Sequence, residues 1–538
     1  MPKLQTNGAK QKRTTYMILL LWTAVCFALL VVDWCCWAPN RLDADMASEQ
    51  LLANLLAQEG GVMSTNWYYS TELRVLNTQL VMAPLFRLFT SWHTVRVVGS
   101  VVLILLYLAA WFWFGRSAKL KYSGLLGAGL LVLPYGALYR QYVLEGLYYI
   151  PHIAISFVVL GCAVRILRGG RRLAPAAGMV LFSFAAALGG PRQLFILNIP
   201  LTVAAALLCW LDAPPADTLR QKLANAWRTP GGALLVPTLA ADAAALAGYL
   251  VNAKVLAEKY HFQNQGYVAF TGLNLDRLQW FVNALLASFG WQEGKVFSLA
   301  ALFNLAAAAL ILFCFVFSVR LVRGKARYPL GHRLVGAFFL AGAVCFALLY
   351  GLTNSGHSDR YLLPLAILFV PLLEIMLADC TPRYRPDACG LTALLAAILL
   401  LRAGTDYRAA AVAANPNQGA AQFLVQNGYR DGYASFWDGN VMTELTDGTL
   451  NVWTLTPNSV PELRPWLQVT SHLQTPPQGK IFFVISKWEA YGERQPTTQA
   501  LADAMPEDAL IYGDETVKIY GFVSDEAMRQ ACGFAAFP

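Results

Sequence analysis

The chain has 538 residues, of which 57% are hydrophobic and only 14% are charged. A soluble domain carries about 25% charged residues, so this composition excludes an ordinary soluble protein and predicts many helices in lipid. The net charge of +9 would suit a nucleic-acid binder, but the sequence contains no nucleic-acid-binding motif, and its ten cysteines are too scattered for a disulfide framework.

Apolar runs recur from residue 16 to residue 402. A membrane-spanning helix needs about 20 mostly apolar residues. By this criterion the sequence predicts about eleven spans, at 16–32, 94–114, 122–138, 150–167, 173–190, 194–211, 232–252, 296–319, 334–353, 362–378 and 388–402. The basic start of the chain resembles a signal peptide, but no small-residue cleavage site follows it. We therefore interpret 16–32 as a retained first span.

Lysine and arginine are divided unevenly among the segments between these spans. With a cytoplasmic N-terminus, the inner segments contain 21 Lys and Arg residues and the longer outer loops contain 10. Basic residues favour the cytoplasmic side, so most of the positive charge is explained as a topology signal. An odd number of spans then predicts an extracytoplasmic C-terminal region, in a multi-pass protein of the bacterial cell membrane.

Two of the predicted outer loops, 33–93 and 253–295, are long. The first contains a helical pattern that should lie along the membrane surface. Its apolar face would be formed by Leu51, Leu52, Leu55 and Leu56, with Gln50, Asn54 and Gln58 on the opposite face.

Composition changes after residue 402, where ordinary polarity returns. Segments 450–455, 481–486 and 516–522 are typical of strands, and 420–426 and 499–504 are typical of helices. We therefore predict a transmembrane domain at 1–402, which includes the 33–93 loop, and an extracytoplasmic α/β domain at 403–538. Within the latter, Asp438-Gly439 and Asp447-Gly448 are turn signals, and Trp437, Trp453 and Trp466 would stack on sugar rings or pack in the core.

Two carboxylates begin the helical pattern of the first loop. On a helix, Asp45 and Glu49 lie about 40° apart, on the same side as Leu52 and Leu56, so they would face a pocket. A glycosyl transfer needs one carboxylate to take the proton of the attacking acceptor. If the leaving group is a lipid phosphate, cations must meet it at the membrane surface.

The order of features in this loop resembles the first outer loop of the GT-C membrane glycosyltransferases. Asp45 precedes an amphipathic helix ending at Glu59-Gly60-Gly61, followed by Asn66-Trp67-Tyr68-Tyr69 and Pro84-Leu85. The resemblance is greatest to one branch of this superfamily, the protein O-mannosyltransferases and aminoarabinose transferases, which are similar to glycosyltransferase family 39. Ser358-Asp359-Arg360-Tyr361-Leu362-Leu363-Pro364 resembles the Arg-Tyr-x-x-Pro element of that branch. Met46 stands where the branch usually has Glu, so the second carboxylate is either missing or supplied by Glu49.

The resemblance implies a role for each matching residue. Asp45 would be the general base, Glu49 would assist or hold it, and Arg360 would bind the lipid phosphate. Further substrate-binding candidates implied in the outer loops are Arg74, Arg140, Arg192, His357 and Tyr361. The resemblance assigns no metal ligand and no cofactor, and it leaves a divalent metal open because metal use varies across the superfamily.

The leading hypothesis is therefore a glycosyltransferase that moves a sugar from a polyprenyl-phosphate donor to an extracytoplasmic acceptor. The expected partners are the lipid-linked sugar, membrane lipid, and a glycan, lipid or protein acceptor. The alternatives are a transporter or flippase for a lipid-linked glycan, or a non-catalytic cell-envelope assembly protein. At the residue level, Asp43 or Asp45 would simply cap a helix, and Arg360 would simply anchor a span at the interface.

Overall fold

The computed structural model describes residues 2–169, 172–263, 268–355, 358–456, 462–487, 502–503 and 505–532. The chain folds as two compact units. The helical unit comprises Met1–Val32, Leu103–Ala253 and Gly266–Asp406. The mixed unit comprises Asp33–Val102, Lys254–Gln265 and Tyr407–Pro538, so most of the first long loop and part of the fourth belong to the same unit as the C-terminal region.

In the described part of the chain, nine helices are long and apolar enough to cross a membrane. They confirm the polytopic helical class, because a segment in lipid must satisfy its backbone hydrogen bonds internally. Their bounds are Lys12–Cys36, Trp92–Ala118, Ile150–Leu167, Leu194–Asp212, Pro230–Lys259, Leu299–Arg323, Leu330–Leu352, Asp359–Asp379 and Arg385–Val412.

Two predicted spans form shorter helices. The 173–190 segment contains a helix of 15 residues, Leu173–Ala187, and the 122–138 segment contains one of only seven, Leu125–Leu131. The latter is shaped by close packing, because a Cβ atom at Gly129 would lie 2.0 Å from the Trp22 indole nitrogen. The remaining helices of the helical unit are short or polar, at Lys121–Gly124, Ala137–Tyr139, Arg140–Glu145, Leu219–Trp227 and Leu275–Ser288.

The mixed unit contains two sheets with eight strands among its described residues. They are β1 Trp67–Tyr69, β2 His261–Phe262, β3 Asp431–Ser435, β4 Asn451–Leu455, β5 Gln468–Val469, β6 Ile481–Ser486, β7 Leu510–Gly513 and β8 Val517–Phe522. The smaller sheet has the order β2-β1-β5, with β2 parallel and β5 antiparallel to β1. It therefore joins both long loops of the sequence to the C-terminal region.

The larger sheet has the order β4-β3-β6-β8-β7 and confirms the expected α/β fold of the C-terminal region. β3 is parallel to β4 and β6, whereas β8 is antiparallel to β6 and β7. All six residues of the central strand β6 are buried, because alternate side chains enter two separate cores. Phe483 lies in one core with Tyr433 and Tyr520, and Phe482 lies in the other with Ile519.

Most of the predicted C-terminal elements are confirmed. Segments 450–455, 481–486 and 516–522 form β4, β6 and β8, and the 420–426 helix extends over Gln418–Gln426. Most of the predicted 499–504 helix lies outside the described residues. The sequence analysis missed β3, β5 and β7 in this region.

Of the two turns predicted at Asp-Gly pairs, one is confirmed and one is wrong. Asp447 and Gly448 form a turn, with φ angles of 50° and 75°. The turn prediction at Asp438-Gly439 is wrong, because both residues lie inside the Phe436–Leu445 helix. The glycine is required there by close packing: a Cβ atom at Gly439 would lie 2.9 Å from a methyl group of Val452 on β4.

Candidate active site

The acidic helix, Ala44–Glu59, has well-defined ends. Asp43 is its N-cap, with Oδ1 accepting the Met46 N–H at 2.8 Å. Gly60 ends the helix in the left-handed conformation, with φ of 83°, and donates its N–H to the Leu56 carbonyl. Asp43 rather than Asp45 therefore performs the capping, and Asp45 lies half-buried in the first turn.

Glu49 is held by a single segment of the mixed unit. Its Oε2 accepts hydrogen bonds from Asn77 at 2.9 Å and from the Thr78 hydroxyl at 2.5 Å. Its Oε1 lies 3.3 Å from Nη1 of Arg74. The structure thus brings together two candidates, Glu49 and Arg74, and the carboxylate fixes the arginine beside the acidic helix. The i, i+4 spacing puts Asp45 on the same face of the helix as Glu49.

The other side of the acidic helix is fixed by buried polar contacts. Arg96 donates Nη2 to the Met46 carbonyl at 2.9 Å and forms a two-pronged ion pair with Glu444, with both N–O distances at 2.6 Å. Asn440 donates to the Ser48 hydroxyl at 2.8 Å. These partners follow Met46 by 50 to nearly 400 positions in the sequence, so the backbone next to Asp45 is positioned by long-range contacts.

The expected amphipathic pattern of this helix requires a correction. Gln50, placed on the polar face by the sequence pattern, is fully buried and donates Nε2 to the Trp92 carbonyl at 2.8 Å. The helix packs against the C-terminal part of its own unit, where Ala44 and Ala47 share a small core with Phe436 and Val441. The prediction that this helix has a polar face at Gln50 is therefore wrong, and its position along the membrane surface stays a prediction.

Arginines and tyrosines gather in the helical unit. The guanidinium of Arg192 lies 4.9 Å from the ring centre of Tyr361 and 5.4 Å from that of Tyr149. Nη1 of Arg192 also donates a hydrogen bond to the Tyr149 hydroxyl, at 3.3 Å. Arg360 lies 5.2 Å from the ring centre of Tyr142, and the Tyr142 and Tyr149 rings are 6.1 Å apart. We name these five residues the arginine–tyrosine cluster. It unites three predicted site residues: Arg192, Arg360 and Tyr361.

The cluster lies where spanning helices begin. Tyr149 directly precedes the Ile150–Leu167 helix, Arg192 precedes Leu194–Asp212, and Arg360 is in the first turn of Asp359–Asp379. Both arginines are half-buried. A guanidinium held over an aromatic ring keeps its N–H edge for planar anions, and arginine can bind phosphate through two parallel hydrogen bonds. The cluster thus has the chemistry of a phosphate site at a membrane boundary.

Arg140 has a different environment. Its Nη1 lies 2.9 Å from Asp406, and its Nε lies 3.5 Å from the buried carboxylate of Glu145. The two carboxylates compensate its charge, so a role for Arg140 in phosphate binding stays a prediction. The sequence analysis did not single out Glu145, which follows Arg140 by five residues in an apolar context. His357 lies outside the described residues.

Metal coordination was left open by the sequence. Across the described residues, no group of three or more His, Cys, Asp or Glu side chains is close enough to hold a metal ion.

Comparison with family models and with curated protein sequences finds no match. Among solved structures, ArnT from Cupriavidus metallidurans in the apo state is 13% identical to this chain, with a TM-score of 0.57. The match covers 95% of this chain and 98% of the ArnT chain. ArnT bound to undecaprenyl phosphate gives 13% identity and a TM-score of 0.55, covering 94% and 98% of the two chains. An oligosaccharyltransferase from Archaeoglobus fulgidus is less similar, with 11% identity, a TM-score of 0.45 and coverage of 89% and 70%. The chain is a multi-pass membrane protein with the GT-C fold of ArnT, as the resemblance predicted.

Proposed function

We propose that this protein is a membrane glycosyltransferase that uses a polyprenyl-phosphate sugar as donor. Asp45 takes the proton from the hydroxyl or other nucleophile of the acceptor as that atom forms a bond to the anomeric carbon of the sugar. The bond from the anomeric carbon to the phosphate oxygen breaks, and polyprenyl phosphate leaves with the electron pair. Arg192 and Arg360 bind the phosphate and stabilise the charge that develops on it.

One observation carries the assignment of Asp45. The cap of the acidic helix is supplied by Asp43, so helix capping does not account for a second carboxylate in the first turn. Asp45 shares its helix face with Glu49, which is fixed by Arg74, Asn77 and Thr78. Buried contacts to Met46 and Ser48 hold the backbone on either side of this face. This rigid setting is what a base needs in order to meet the acceptor in one geometry.

Two features support a lipid-linked donor. The fold is shared with ArnT along almost the whole chain, and one ArnT structure contains undecaprenyl phosphate. In this chain the arginine–tyrosine cluster offers two guanidinium groups at the ends of spanning helices. A neutral soluble sugar donor would have no need of such cations, whereas the phosphate of a lipid-linked donor would bind to them.

The proposal is tested by a transfer assay in proteoliposomes. Undecaprenyl-phosphate monosaccharides with a labelled sugar are the donors, and cell-envelope extract supplies the acceptors. We expect Arg192→Gln and Arg360→Gln each to raise KM for the donor by roughly 10- to 100-fold, because each charge-assisted hydrogen bond contributes about 1.5–3 kcal/mol. Lysine at either position should restore binding only in part, since it lacks the planar pair of donors.

Arg327 provides the matched control for this experiment. Its guanidinium lies 5.2 Å from the ring centre of Tyr328, so it shares the arginine-over-tyrosine geometry but lies outside the cluster. Arg327→Gln should leave KM unchanged. If no donor is consumed by the unsubstituted protein, the proposed function is wrong. If Arg327→Gln has the same effect as Arg360→Gln, the cluster has no special role.

The acceptor side is proposed to be extracytoplasmic. Alkaline phosphatase is active only outside the cytoplasm, so its fusions report sidedness. A fusion after Ala413, at the end of the last spanning helix, should be active, and one after Arg327, between two spanning helices, should not. Activity of the second fusion and not of the first would reverse the orientation and place the mixed unit in the cytoplasm.

A further inference from the structure

A cavity of about 160 Å³ lies within the mixed unit, between the acidic helix and the C-terminal part of that unit. None of the described residues that line it carries a formal charge at neutral pH, because the one histidine among them is neutral. The polar lining consists mainly of side-chain amides, from Asn54, Gln58, Asn440, Asn451 and Gln468.

Two lining residues hold buried polar atoms without partners. Nε1 of Trp67 and Nδ1 of His472 are both buried and have no hydrogen-bond partner in the described part of the protein. Trp67 is only 1% exposed and His472 only 7%. Burial lowers the pKa of His472 to about 3, so its ring is neutral. Native proteins rarely leave such buried atoms unsatisfied, and both residues belong to the wall of the cavity.

The cavity uses a different face of the acidic helix from the proposed base. At about 100° per residue, Asp45 and Glu49 lie within about 40° of each other. Of the residues that line the cavity, the polar ones, Asn54 and Gln58, lie about 180° and 140° from Asp45 around the helix. Leu51 and Leu55 lie about 120° and 80° from it. Neither the Asn54 nor the Gln58 amide forms a hydrogen bond with any described residue. This one helix therefore has two separate polar faces.

Two of the remaining amides differ in what they offer to a ligand. The Gln468 amide is already satisfied, because it donates to the Thr454 and Arg464 carbonyls and accepts the Thr454 N–H at 3.2 Å. The Asn440 amide is oriented by the fold. Both N–H groups of the Asn440 amide are used, one by the Ser48 hydroxyl at 2.8 Å and one by the Leu467 carbonyl at 3.0 Å. Its oxygen is thus the atom left to accept a hydrogen bond from a ligand. Together with the Asn54 and Gln58 amides, this oxygen gives the cavity uncharged donors and acceptors beside apolar walls.

We propose that this cavity binds one uncharged sugar residue. Hydroxyl groups both donate and accept hydrogen bonds, which matches a lining of side-chain amides. A phosphate or carboxylate would need a cation, and the described lining supplies none. The volume is below the 300–1,000 Å³ typical of drug-sized ligands, so it suits a single ring rather than an oligosaccharide. The proposal does not depend on the assignment of Asp45 as base.

The test uses the full-length protein in lipid nanodiscs and titration calorimetry. The neutral probes are the methyl glycosides of glucose, mannose, galactose and N-acetylglucosamine, and the charged probes are methyl glucuronide and glucose 1-phosphate. We expect saturable binding of at least one neutral probe and about tenfold weaker binding of the charged ones, since the latter lose about 1.4 kcal/mol or more.

Variants connect the binding to this cavity. Asn54→Leu combined with Gln58→Met should weaken binding about tenfold or more, and both positions lie toward the helix surface, where the fold tolerates them. Gln426→Met, at an exposed position at the end of the Gln418–Gln426 helix of the same unit, is the control and should bind normally. Asp45→Asn should also bind the glycoside normally, which separates this proposal from the proposed transfer reaction.

The sugar could come from the donor or from the acceptor, and competition distinguishes the two. Retention of the bound glycoside in the presence of an undecaprenyl-phosphate sugar assigns the cavity to a sugar of the acceptor that lies away from the reacting atoms. Displacement assigns the cavity to the donor sugar and counts against Asp45 as the base, because the cavity uses a different face of the acidic helix. Either result supports the proposal. Failure of every neutral probe to bind, or unchanged binding by the Asn54 and Gln58 double variant, overturns it.

Discussion

Asp45→Asn is expected to lower the rate of sugar transfer by roughly 10²–10⁴-fold, the usual contribution of a general base. The amide has the same shape as the carboxylate but cannot accept a proton at neutral pH. The loss should appear in kcat rather than in KM for the donor, because the phosphate is proposed to bind to Arg192 and Arg360. The measurement is the rate of labelled-sugar transfer in proteoliposomes, with the thermal unfolding midpoint recorded for the same preparation.

Asp43→Asn is a closely matched control, because the same change is made two residues earlier. Asparagine caps helices about as well as aspartate, so the Met46 N–H should keep its partner and the helix its stability. This variant should retain transfer. If both variants lose activity together, the effect belongs to the start of the helix in general. If Asp45→Asn remains active, Asp45 is not the base.

Glu49→Gln addresses the departure from the family pattern at Met46. The carboxylate of Glu49 accepts from three side chains of one segment, so its contacts are those of a positioning residue. This arrangement distinguishes it from Asp45, although the two share one helix face. The proposal is that Glu49 positions Arg74 and the 74–78 segment, whereas Asp45 accepts the proton.

The transporter alternative depends on charge inside the membrane. Asp242 lies within a spanning helix, and its Oδ2 accepts the hydroxyl of Thr202 from another spanning helix at 2.6 Å. A transporter would be expected to use such a group and to tolerate the loss of Asp45. Asp45→Asn therefore discriminates between the two functions, since only the transferase requires that carboxylate.

The sequence was a good guide to the spans because lipid imposes a simple rule on the backbone. Every buried peptide group must be satisfied within its own helix, so a long apolar run has few alternatives. The rule failed at 122–138, where glycines allow tryptophans to pack against a short helix. The central strand β6 could also be predicted from the sequence, since its run of five buried apolar residues, Ile481 to Ile485, fits a sheet covered on both faces.

The environment of the candidate base could not be predicted in the same way. Helical periodicity placed Asp45 and Glu49 on one face, but it also placed Gln50 on a solvated face, where tertiary packing instead buries it against Trp92. A polar side chain in a pattern has no visible partner until the chain folds. The same holds for the Asp438-Gly439 pair, whose local turn preference was overridden by helix packing against β4.

The ion pair of Arg96 and Glu444 is a further contact that the sequence does not predict. The two residues are 348 positions apart and lie in segments with no sequence feature in common. Their side chains are only 11% and 6% exposed, and the arginine also binds the Met46 carbonyl next to Asp45. A buried ion pair adds little net stability compared with apolar residues, but removal of one partner leaves an uncompensated charge in the interior. The pair is therefore a sensitive point for the positioning of the acidic helix.

Glu444→Gln is accordingly expected to destabilise the mixed unit by about 3–5 kcal/mol, measured by chemical unfolding in detergent. Glu507→Gln, an exposed change of the same chemistry in the same unit, should stay within about 0.5 kcal/mol of the unsubstituted protein. The double variant Arg96→Met with Glu444→Leu removes both charges and should recover a large part of the loss. Because the double variant also frees the Met46 carbonyl, its sugar transfer should remain low even where its stability returns. Full stability in Glu444→Gln would mean that the ion pair does not hold the acidic helix, and full transfer in the double variant would mean that the position of the helix does not depend on Arg96.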